Sequence, residues 1–336
     1  MAEAADHNAR PAADGSVQVT GTPAVTIAIP TFNRSASVEH VVEDLLPYLE
    51  AGAIAVLVVD DGSVDGTYER LLPYVTRGVR VLRNETNRGY ARTFVRALRE
   101  SRTEWVLLTA DDDRIDLARL PELTRWLQAE DPDFVSTRTE FASGDTVVRR
   151  GRVVSGPIAT GDFYAVASHA PGLIYRVSEA CASLRLLEEE LERCSDAAIV
   201  YPQVIVAMQL IVGARAMWWE GTLVYEGEAL PSGIIDQAGR AYQDPGARLS
   251  QTLAFDHLLR RMVSAAPTAI ARRRAQAFLR FNERRIYRAV RTEVLHQHQD
   301  ATQQVLDMAI GRYFIRSSTR ALLSRIPGIR SVRRRR

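Results

Sequence analysis

The first 140 residues alternate between short apolar runs and segments with helical periodicity. The apolar runs are rich in β-branched residues and have the length of buried strands; they span 24–29, 53–60, 78–84, 104–110 and 133–137. Between them, apolar residues recur every three or four positions over 35–49, 65–75, 89–100 and 116–128. Strand–helix alternation with short links is typical of parallel strands joined by right-handed crossovers. We therefore expect an α/β fold with a Rossmann-like, mixed, mainly parallel sheet and helices on both faces.

The pattern changes after residue 140. A hairpin is predicted around Ser143, Gly144 and Asp145, and one or two strands over 216–228. From residue 247 the periodicity is almost entirely helical, with arginines on the polar faces. We expect a disordered N-terminal tail (1–22), two halves of one α/β unit (23–140 and 141–245) and a basic helical C-terminal region (246–336).

One segment, 197–214, is apolar enough to raise the question of a membrane span. It is nearly long enough to cross a bilayer and carries no charge after Asp196. However, Pro202, Gln203 and Gln209 interrupt it. The sequence therefore favours a buried core helix over a transmembrane helix.

Composition is that of a soluble globular protein, with 46% hydrophobic and 25% charged residues. Two cysteines are too few for a disulfide framework or a zinc site, which fits a reducing compartment. The N-terminus has no apolar core of the kind that a signal peptide needs. These features predict a cytoplasmic protein.

The net charge of +2 conceals a segregation of charge along the chain. From residue 247 onward there are 20 arginines against 5 acidic residues, and the chain ends in RSVRRRR. An anionic membrane surface is one partner that such a region attracts. The alternative is that these arginines pair with the acidic first half of the chain. Nucleic acid is not expected, because no recognition motif accompanies the charge.

Acidic and small polar residues follow three of the predicted strands. The segments are PTFNR (30–34), VVDDGSVDGT (58–67) and TADDDRID (109–116). Because the carboxyl ends of parallel strands meet at one edge of a sheet, we expect these segments to line one cleft. Such a cleft repels anions unless a divalent cation neutralises it, and hard cations prefer carboxylate oxygens.

The DDGS segment has two interpretations. Gly62 permits a tight turn, and Ser63 and Asp65 can cap the following helix, so the segment is explained by turn chemistry alone. Alternatively, Asp60 and Asp61 stand at the strand tip and accept hydrogen bonds from a base or a ribose. The other segments decide between the two interpretations.

Four motifs taken together resemble the family 2 glycosyltransferases of GT-A fold. They are IPTFNR, VVDDGSVDGT, NRGYARTFVRAL and LLTADDD, in this order, and they cover roughly residues 24–128. The resemblance implies that 23–140 binds a nucleotide-diphosphate sugar and that 141–245 forms the acceptor side. It implies a nucleotide-sugar site made of Pro30, Thr31, Arg34, Asp60, Asp61, Arg88, Asp111 and Asp112.

The resemblance also implies a divalent cation, Mn²⁺ or Mg²⁺, at the family's D-x-D site. Asp111 and Asp113 have that spacing and are the expected metal ligands. Aligned on the strand instead, Thr109-Ala110-Asp111 occupies the D-x-D place, with Thr109 replacing the first Asp. Which carboxylate is the main ligand therefore stays open.

A general base for the acceptor hydroxyl is harder to identify. The family often has an acidic pair at the start of a helix, but Tyr201 and Pro202, where that helix is expected to begin, carry no carboxylate. Asp196 lies just upstream and is the predicted base. The alternatives are Glu220, Glu226, Glu228 and His169.

Three further residues have expected positions in the fold. Trp218 and Trp219 either stack on a sugar ring or belong to the core. Arg176, in APGLIYR, is expected near a phosphate or a sugar hydroxyl on the acceptor side.

The sequence thus predicts a metal-dependent inverting glycosyltransferase of cell-surface polysaccharide assembly. The acceptor is expected to be a glycan or a lipid-linked glycan, and the basic C-terminus to hold the protein at the inner face of the membrane. A nucleotidyltransferase or another nucleotide-sugar enzyme on a similar sheet is the second hypothesis. AIPTFNR is not a glycine-rich phosphate loop, which counts against the nucleotidyltransferase. A non-catalytic membrane-peripheral module with a degenerate transferase domain is the third hypothesis.

Overall fold

The computed structural model describes residues 22–141, 155–158, 166–213, 215–227, 239–241 and 244–296. Several expectations concern residues outside these ranges: the N-terminal tail up to residue 21, the hairpin around Ser143, Glu228 as a base, and the final run of arginines. The structural statements below refer to the described residues.

The elements follow the predicted alternation. The strands are β1 (Val25–Thr31), β2 (Ala55–Asp60), β3 (Arg80–Arg83), β4 (Trp105–Leu108), β5 (Arg114–Ile115), β6 (Phe134–Phe141), β7 (Gly156–Pro157), β8 (Leu173–Arg176) and β9 (Ala216–Glu226). The helices are α1 (Ser35–Glu50), α2 (Thr67–Val75), α3 (Tyr90–Glu100), α4 (Leu120–Glu130), α5 (Val177–Glu192), α6 (Asp196–Val200), α7 (Pro202–Gly213), α8 (Pro245–Ala265) and α9 (Ala269–His296).

These strands form one sheet whose order is β3-β2-β1-β4-β8-β6-β9-β5, with β7 on β9. Strands β1 to β4 are mutually parallel, as predicted. Strand β8 is antiparallel to both β4 and β6, and β9 is parallel to β6. Consequently β1, β2, β4, β6 and β9 all end at the same edge of the sheet, which we call the carboxyl edge.

The two faces of the sheet carry two separate cores, because successive side chains of a strand point to opposite faces. Along β1 and β2, Ile27, Ile29 and Val58 pack under α1, α2 and α4. Ala28 and Leu57, one position away, pack under α3 and the C-terminal helices. Fully burying one such large apolar side chain stabilises the fold by about 1.5–3 kcal/mol.

The apolar segment 197–214 is part of the second core. It forms α6 and the twelve-residue helix α7, which begins at Pro202 and is buried along most of its length. Among the described helices, none combines the length and the apolar composition that a membrane crossing requires. The predicted class, a mainly parallel α/β sheet with helices on both faces followed by a helical region, is confirmed.

The placement of Arg176 was predicted wrongly. Because β8 is antiparallel, its last residue pairs with Trp105, at the start of β4 and therefore at the edge opposite the carboxyl edge. There the guanidinium lies 4.8 Å from the ring centroid of Trp105 and forms ion pairs with Glu104, Asp131 and Asp133. Arg176 ties the sheet to the loops at that edge.

Candidate active site

Thr31, the last residue of β1, joins the two acidic segments at the carboxyl edge. Its hydroxyl donates a hydrogen bond of 2.6 Å to Oδ2 of Asp111. Its carbonyl accepts a hydrogen bond of 2.9 Å from the backbone N–H of Asp61. The three residues are buried, with 4%, 9% and 3% of their surface exposed for Thr31, Asp111 and Asp61. The convergence expected from parallel strands is thus present.

Asp60 supports the loop that follows β2. Its side chain is fully buried, and its Oδ1 accepts hydrogen bonds from the backbone N–H and the hydroxyl of Ser63. Its Oδ2 lies 3.5 Å from Nε of Arg83. Gly62, in the same turn, has a φ of +76°, and a Cβ there would lie 2.6 Å from the carbonyl carbon of Thr86. The turn interpretation explains the contacts of Oδ1, whereas the buried Oδ2 has no hydrogen-bond partner among the described residues. A ligand-binding role of Asp60 stays a prediction.

Asp61 connects the same loop to the start of α3. Its Oδ1 accepts hydrogen bonds of 2.7 Å from Nδ2 of Asn84 and 2.9 Å from the backbone N–H of Arg88. Gly89 follows with a φ of +83° and leads into α3. Asp61 therefore fixes the position of the NRG segment, with Arg88 held by its main chain.

The three carboxylates of the acidic triplet are held in different ways. Asp112 has the more exposed side chain, at 25%, and its Oδ2 lies 3.5 Å from Nη1 of Arg34. Asp113 is buried, and its carboxylate accepts hydrogen bonds from the backbone N–H groups of Ala110 (3.2 Å) and Gly227 (3.3 Å). Of the triplet, Asp112 is the carboxylate that an incoming ligand reaches most easily.

Glu226, the last residue of β9, adds a fourth carboxylate to this edge. Its Oε2 is buried and makes no hydrogen bond within the described part of the chain. Burial raises the pKa of Glu226, and the charge of Asp112 raises it further. Burial likewise raises the pKa of Asp111 to about 6 and that of Asp113 to about 7, with the Asp112 charge contributing to both. The loop thus concentrates negative charge in a partly desolvated place.

The donor set fits a divalent cation that arrives with a phosphate ligand. Within the described ranges, no three His, Cys, Asp or Glu side chains are arranged to hold a metal ion by themselves. Mg²⁺ is usually bound by one or two carboxylates, with substrate phosphates and water completing the shell. A cation bound at this place would relieve the mutual repulsion of Asp112, Asp113 and Glu226 and would give the unbonded Oε2 of Glu226 a partner. Asp111 and Asp113 stay the predicted ligands.

The candidate bases occupy different parts of the molecule. Asp196 is the first residue of α6, and its Oδ2 accepts a hydrogen bond from the hydroxyl of Ser250 on α8. Glu220 is exposed in the middle of β9, and His169 is half-buried ahead of β8. Glu226 is the alternative that the structure brings beside the acidic triplet.

The two tryptophans belong to the interior. Trp219 is 2% exposed, and the guanidinium of Arg119 lies 4.9 Å from its ring centroid. Trp218 is partly buried and packs against the core on the other face of the sheet. The core alternative is therefore the one that the structure supports.

The sequence indicates Glu226 only as an alternative base, and it does not single out Gly227. A Cβ on Gly227 would lie only 1.9 Å from the backbone oxygen of Asp112, so the two chain segments touch. The sequence does show a predicted strand that ends in a carboxylate. Which edge of the sheet that carboxylate reaches depends on the pairing of β9 with β6, and β6 is far away in the sequence.

Comparisons of the sequence with known proteins match part of the chain. The model of the family described as "Glycosyl transferase family 2" matches residues 26–171. A curated relative, the uncharacterized protein MT1568 of Mycobacterium tuberculosis (strain CDC 1551 / Oshkosh), is 30% identical over 135 residues, which are 39% of this chain and 41% of that protein. The chain thus matches about two fifths of the length of that relative.

Solved structures of S. aureus TarS share the fold. For TarS 1-349 in complex with UDP-GlcNAc, the TM-score is 0.63 at 19% identity, over 85% of this chain and 79% of that one. For the longer TarS structure, the TM-score is 0.62 at 17% identity, over 85% of this chain and 48% of that one. The architecture is accordingly GT-A-like, with helices added after the sheet.

Proposed function

We propose that the protein transfers a sugar from a nucleotide-diphosphate donor to a glycan or lipid-linked acceptor, because the family 2 glycosyltransferase model matches residues 26–171. The observation that carries the proposal is the junction at Thr31, where the β2 loop and the acidic triplet meet at one sheet edge. In α/β sheets of this kind, ligands bind beyond the carboxyl ends of the strands.

The donor is proposed to lie across the tips of β1 and β2 and over the acidic triplet. The residues proposed to contact it are Pro30, Thr31, Arg34, Asp60, Asp61, Arg88, Asp111 and Asp112. TarS has been solved with UDP-GlcNAc on a similar fold, which supports a nucleotide-sugar donor. Arg34 is half-buried beside Asp112 at the mouth of the site, where a guanidinium can pair with a phosphate oxygen.

Mn²⁺ or Mg²⁺ is the proposed cofactor, with Asp111 and Asp113 as ligands and with Asp112 and Glu226 beside them. A bound cation neutralises the charge that grows on the diphosphate leaving group. The protein's own contribution is to hold the carboxylates in place through Thr31, Ala110 and Gly227, so that little reorganisation accompanies the reaction.

Direct displacement at the anomeric carbon inverts its configuration and requires a base for the acceptor hydroxyl. Asp196 is the proposed base, with its carboxylate oriented by the hydroxyl of Ser250. Glu226 is the second candidate, since its Oε2 is unbonded within the described residues and its pKa is raised by burial.

The metal hypothesis is tested with three variants of the triplet, Asp111→Asn, Asp112→Asn and Asp113→Asn. Binding of UDP-, GDP- and dTDP-sugars is followed by thermal shift and calorimetry, with and without Mn²⁺. We expect Mn²⁺ to strengthen binding of one donor and the ligand variants to weaken it at least about tenfold, a loss of about 1.4 kcal/mol. Glu122→Gln, at an exposed position of α4, is the control that removes a carboxylate elsewhere. A donor affinity that is the same with and without Mn²⁺ and in all three variants would contradict the proposal.

The two candidate bases are separated by comparing Asp196→Asn with Glu226→Gln. Loss of the base lowers kcat by about 10²–10⁴-fold and leaves donor affinity nearly unchanged. Loss of a group that supports the cation weakens donor binding in Mn²⁺ instead. We expect the first result for Asp196→Asn and the second for Glu226→Gln. A protein that binds donor but turns over no acceptor or water would point to a non-catalytic module.

A further inference from the structure

The first turn of α9 exposes a large apolar side chain close to several arginines. Ile270, at the second position of α9, is 64% exposed. Arg272, Arg273 and Arg280 are exposed on the same helix. We call these four residues the α9 surface.

The arginines of this region divide into two groups by their contacts. Between Asp256 and Glu283 the chain has no acidic residue and six arginines. Three of them are engaged within the protein: Arg260 pairs with Asp256, Arg261 pairs with Glu189 and Glu190, and Arg274 donates to the carbonyl of Val212.

The other three arginines, those of the α9 surface, have no carboxylate partner among the described residues. The partners of Arg260 and Arg261 lie on α5 and α8, within the helical half. Among the described contacts, none pairs Arg272, Arg273 or Arg280 with a carboxylate of the acidic first half of the chain.

A cleft opens at the start of α9, and it is lined by Ala271 and Ala275 rather than by the four residues of the α9 surface. It has a volume of about 430 Å³ and lies between α5, α7, α8 and the start of α9. Its walls are mainly apolar, including Leu186, Val212, Met262, Ala271 and Ala275, and Glu189 and Arg261 also line it. Arg185, also in its lining, has a side chain that is 89% exposed. Arg185 lies 4.0 Å from the carboxylate of Glu189, which also pairs with Arg261, so the cleft adds no unpaired charge to the α9 surface.

We propose that the α9 surface docks on an anionic lipid bilayer. Ile270 enters the boundary between headgroups and acyl chains, and Arg272, Arg273 and Arg280 contact lipid phosphates. The surface combines an exposed apolar side chain with three cations that have no carboxylate partner among the described residues, and this combination suits the headgroup boundary of an anionic bilayer. This contact is separate from the acidic site at the carboxyl edge and from the final run of arginines.

The test uses the full chain and vesicles of phosphatidylcholine alone or in equimolar mixture with phosphatidylglycerol. Sedimentation measures the partition coefficient of the protein. Arg272→Ala/Arg273→Ala is expected to lower partition onto the anionic vesicles roughly 25-fold, about fivefold for each arginine. Ile270→Ser is expected to lower it roughly tenfold. Weak binding to pure phosphatidylcholine is expected for every variant.

Matched controls separate the proposal from a general effect of charge. Arg102→Ala/Arg125→Ala removes two exposed arginines elsewhere and changes the net charge equally. Leu72→Ser removes an apolar side chain, 44% exposed, from α2. Both are expected to bind within about twofold of the parent, a difference below 0.5 kcal/mol. The proposal is overturned if the α9 variants bind like these controls, or if the parent binds both kinds of vesicle equally.

Discussion

At the scale of single residues, the site depends on buried carboxylates that accept hydrogen bonds from the protein, although Oδ2 of Asp60 and Oε2 of Glu226 have no hydrogen-bond partner among the described residues. Thr31 holds Asp111, Ser63 and Arg83 hold Asp60, and Asp61 itself holds the start of α3. Since a buried charge is costly unless it is hydrogen-bonded, each donor is required for the fold as well as for the site.

Replacement of Thr31 tests this dependence. Thr31→Val keeps the shape but removes the donor to Asp111, so we expect the free energy of unfolding to fall by about 1.5–3 kcal/mol. Urea denaturation measures the change. Thr31→Ser keeps the hydroxyl and is the control, with an expected loss below about 1 kcal/mol. Equal stability of the two variants would show that the 2.6 Å contact contributes little.

At the scale of elements, the end of β9 completes the acidic loop that follows β4. The backbone N–H of Gly227 donates to Asp113, and the backbone of Gly227 touches the carbonyl of Asp112. A strand from the acceptor-side half of the chain therefore shapes the loop that belongs to the donor-side half. The two halves predicted over 23–140 and 141–245 contribute strands to one sheet, and their boundaries remain predictions.

A methyl group at Gly227 is expected to displace the acidic loop. Its Cβ would lie 1.9 Å from the backbone oxygen of Asp112, and neither main-chain segment can yield by rotating a side chain. Gly227→Ala is expected to cost about 1–3 kcal/mol of stability and to weaken Mn²⁺-dependent donor binding. Gly213→Ala, where nothing lies within 4 Å of the new Cβ, is the matched control and should change neither quantity appreciably. Unchanged donor binding in Gly227→Ala would show that the end of β9 does not shape the donor site.

At the scale of the whole molecule, the acidic candidate site and the exposed arginines of α9 lie in different regions. The carboxylates of the site are at the carboxyl edge of the sheet, and Arg272, Arg273 and Arg280 are on the last described helix. This separation suits a peripheral enzyme at the inner face of a membrane that acts on a lipid-linked acceptor, which is the location that we propose.

The final arginines provide a second test of that location. Replacing Arg333, Arg334, Arg335 and Arg336 by alanine removes four charges, each worth about 1 kcal/mol near an anionic surface. We expect the full-length variant to move from the lipid-bound to the soluble fraction in vesicle sedimentation, and the shift to shrink as salt rises. An unchanged distribution would limit membrane attachment to the α9 surface or exclude it.

Sequence pattern and structure agree most closely where local signals are strong. The alternation over 24–137 placed the strands β1 to β4 and the helices between them, because each periodic segment reports on its own exposure to solvent. The acidic segments were placed at one edge, because parallel strands leave no other arrangement for their ends. The position of Arg176 was predicted wrongly because the residues LIYR do not indicate whether their strand is parallel or antiparallel to its neighbours.

The sequence by itself determined the α/β class, the motif order of a family 2 glycosyltransferase and the set of carboxylates at the strand ends. These depend on local periodicity and on residues that are close together in the chain. Only the tertiary structure decided that Glu226 and Gly227 join the triplet, that Trp219 is buried and that the α9 arginines lack carboxylate partners among the described residues. Strand direction and charge pairing depend on contacts between distant segments, and one sequence read locally does not specify which distant segments meet.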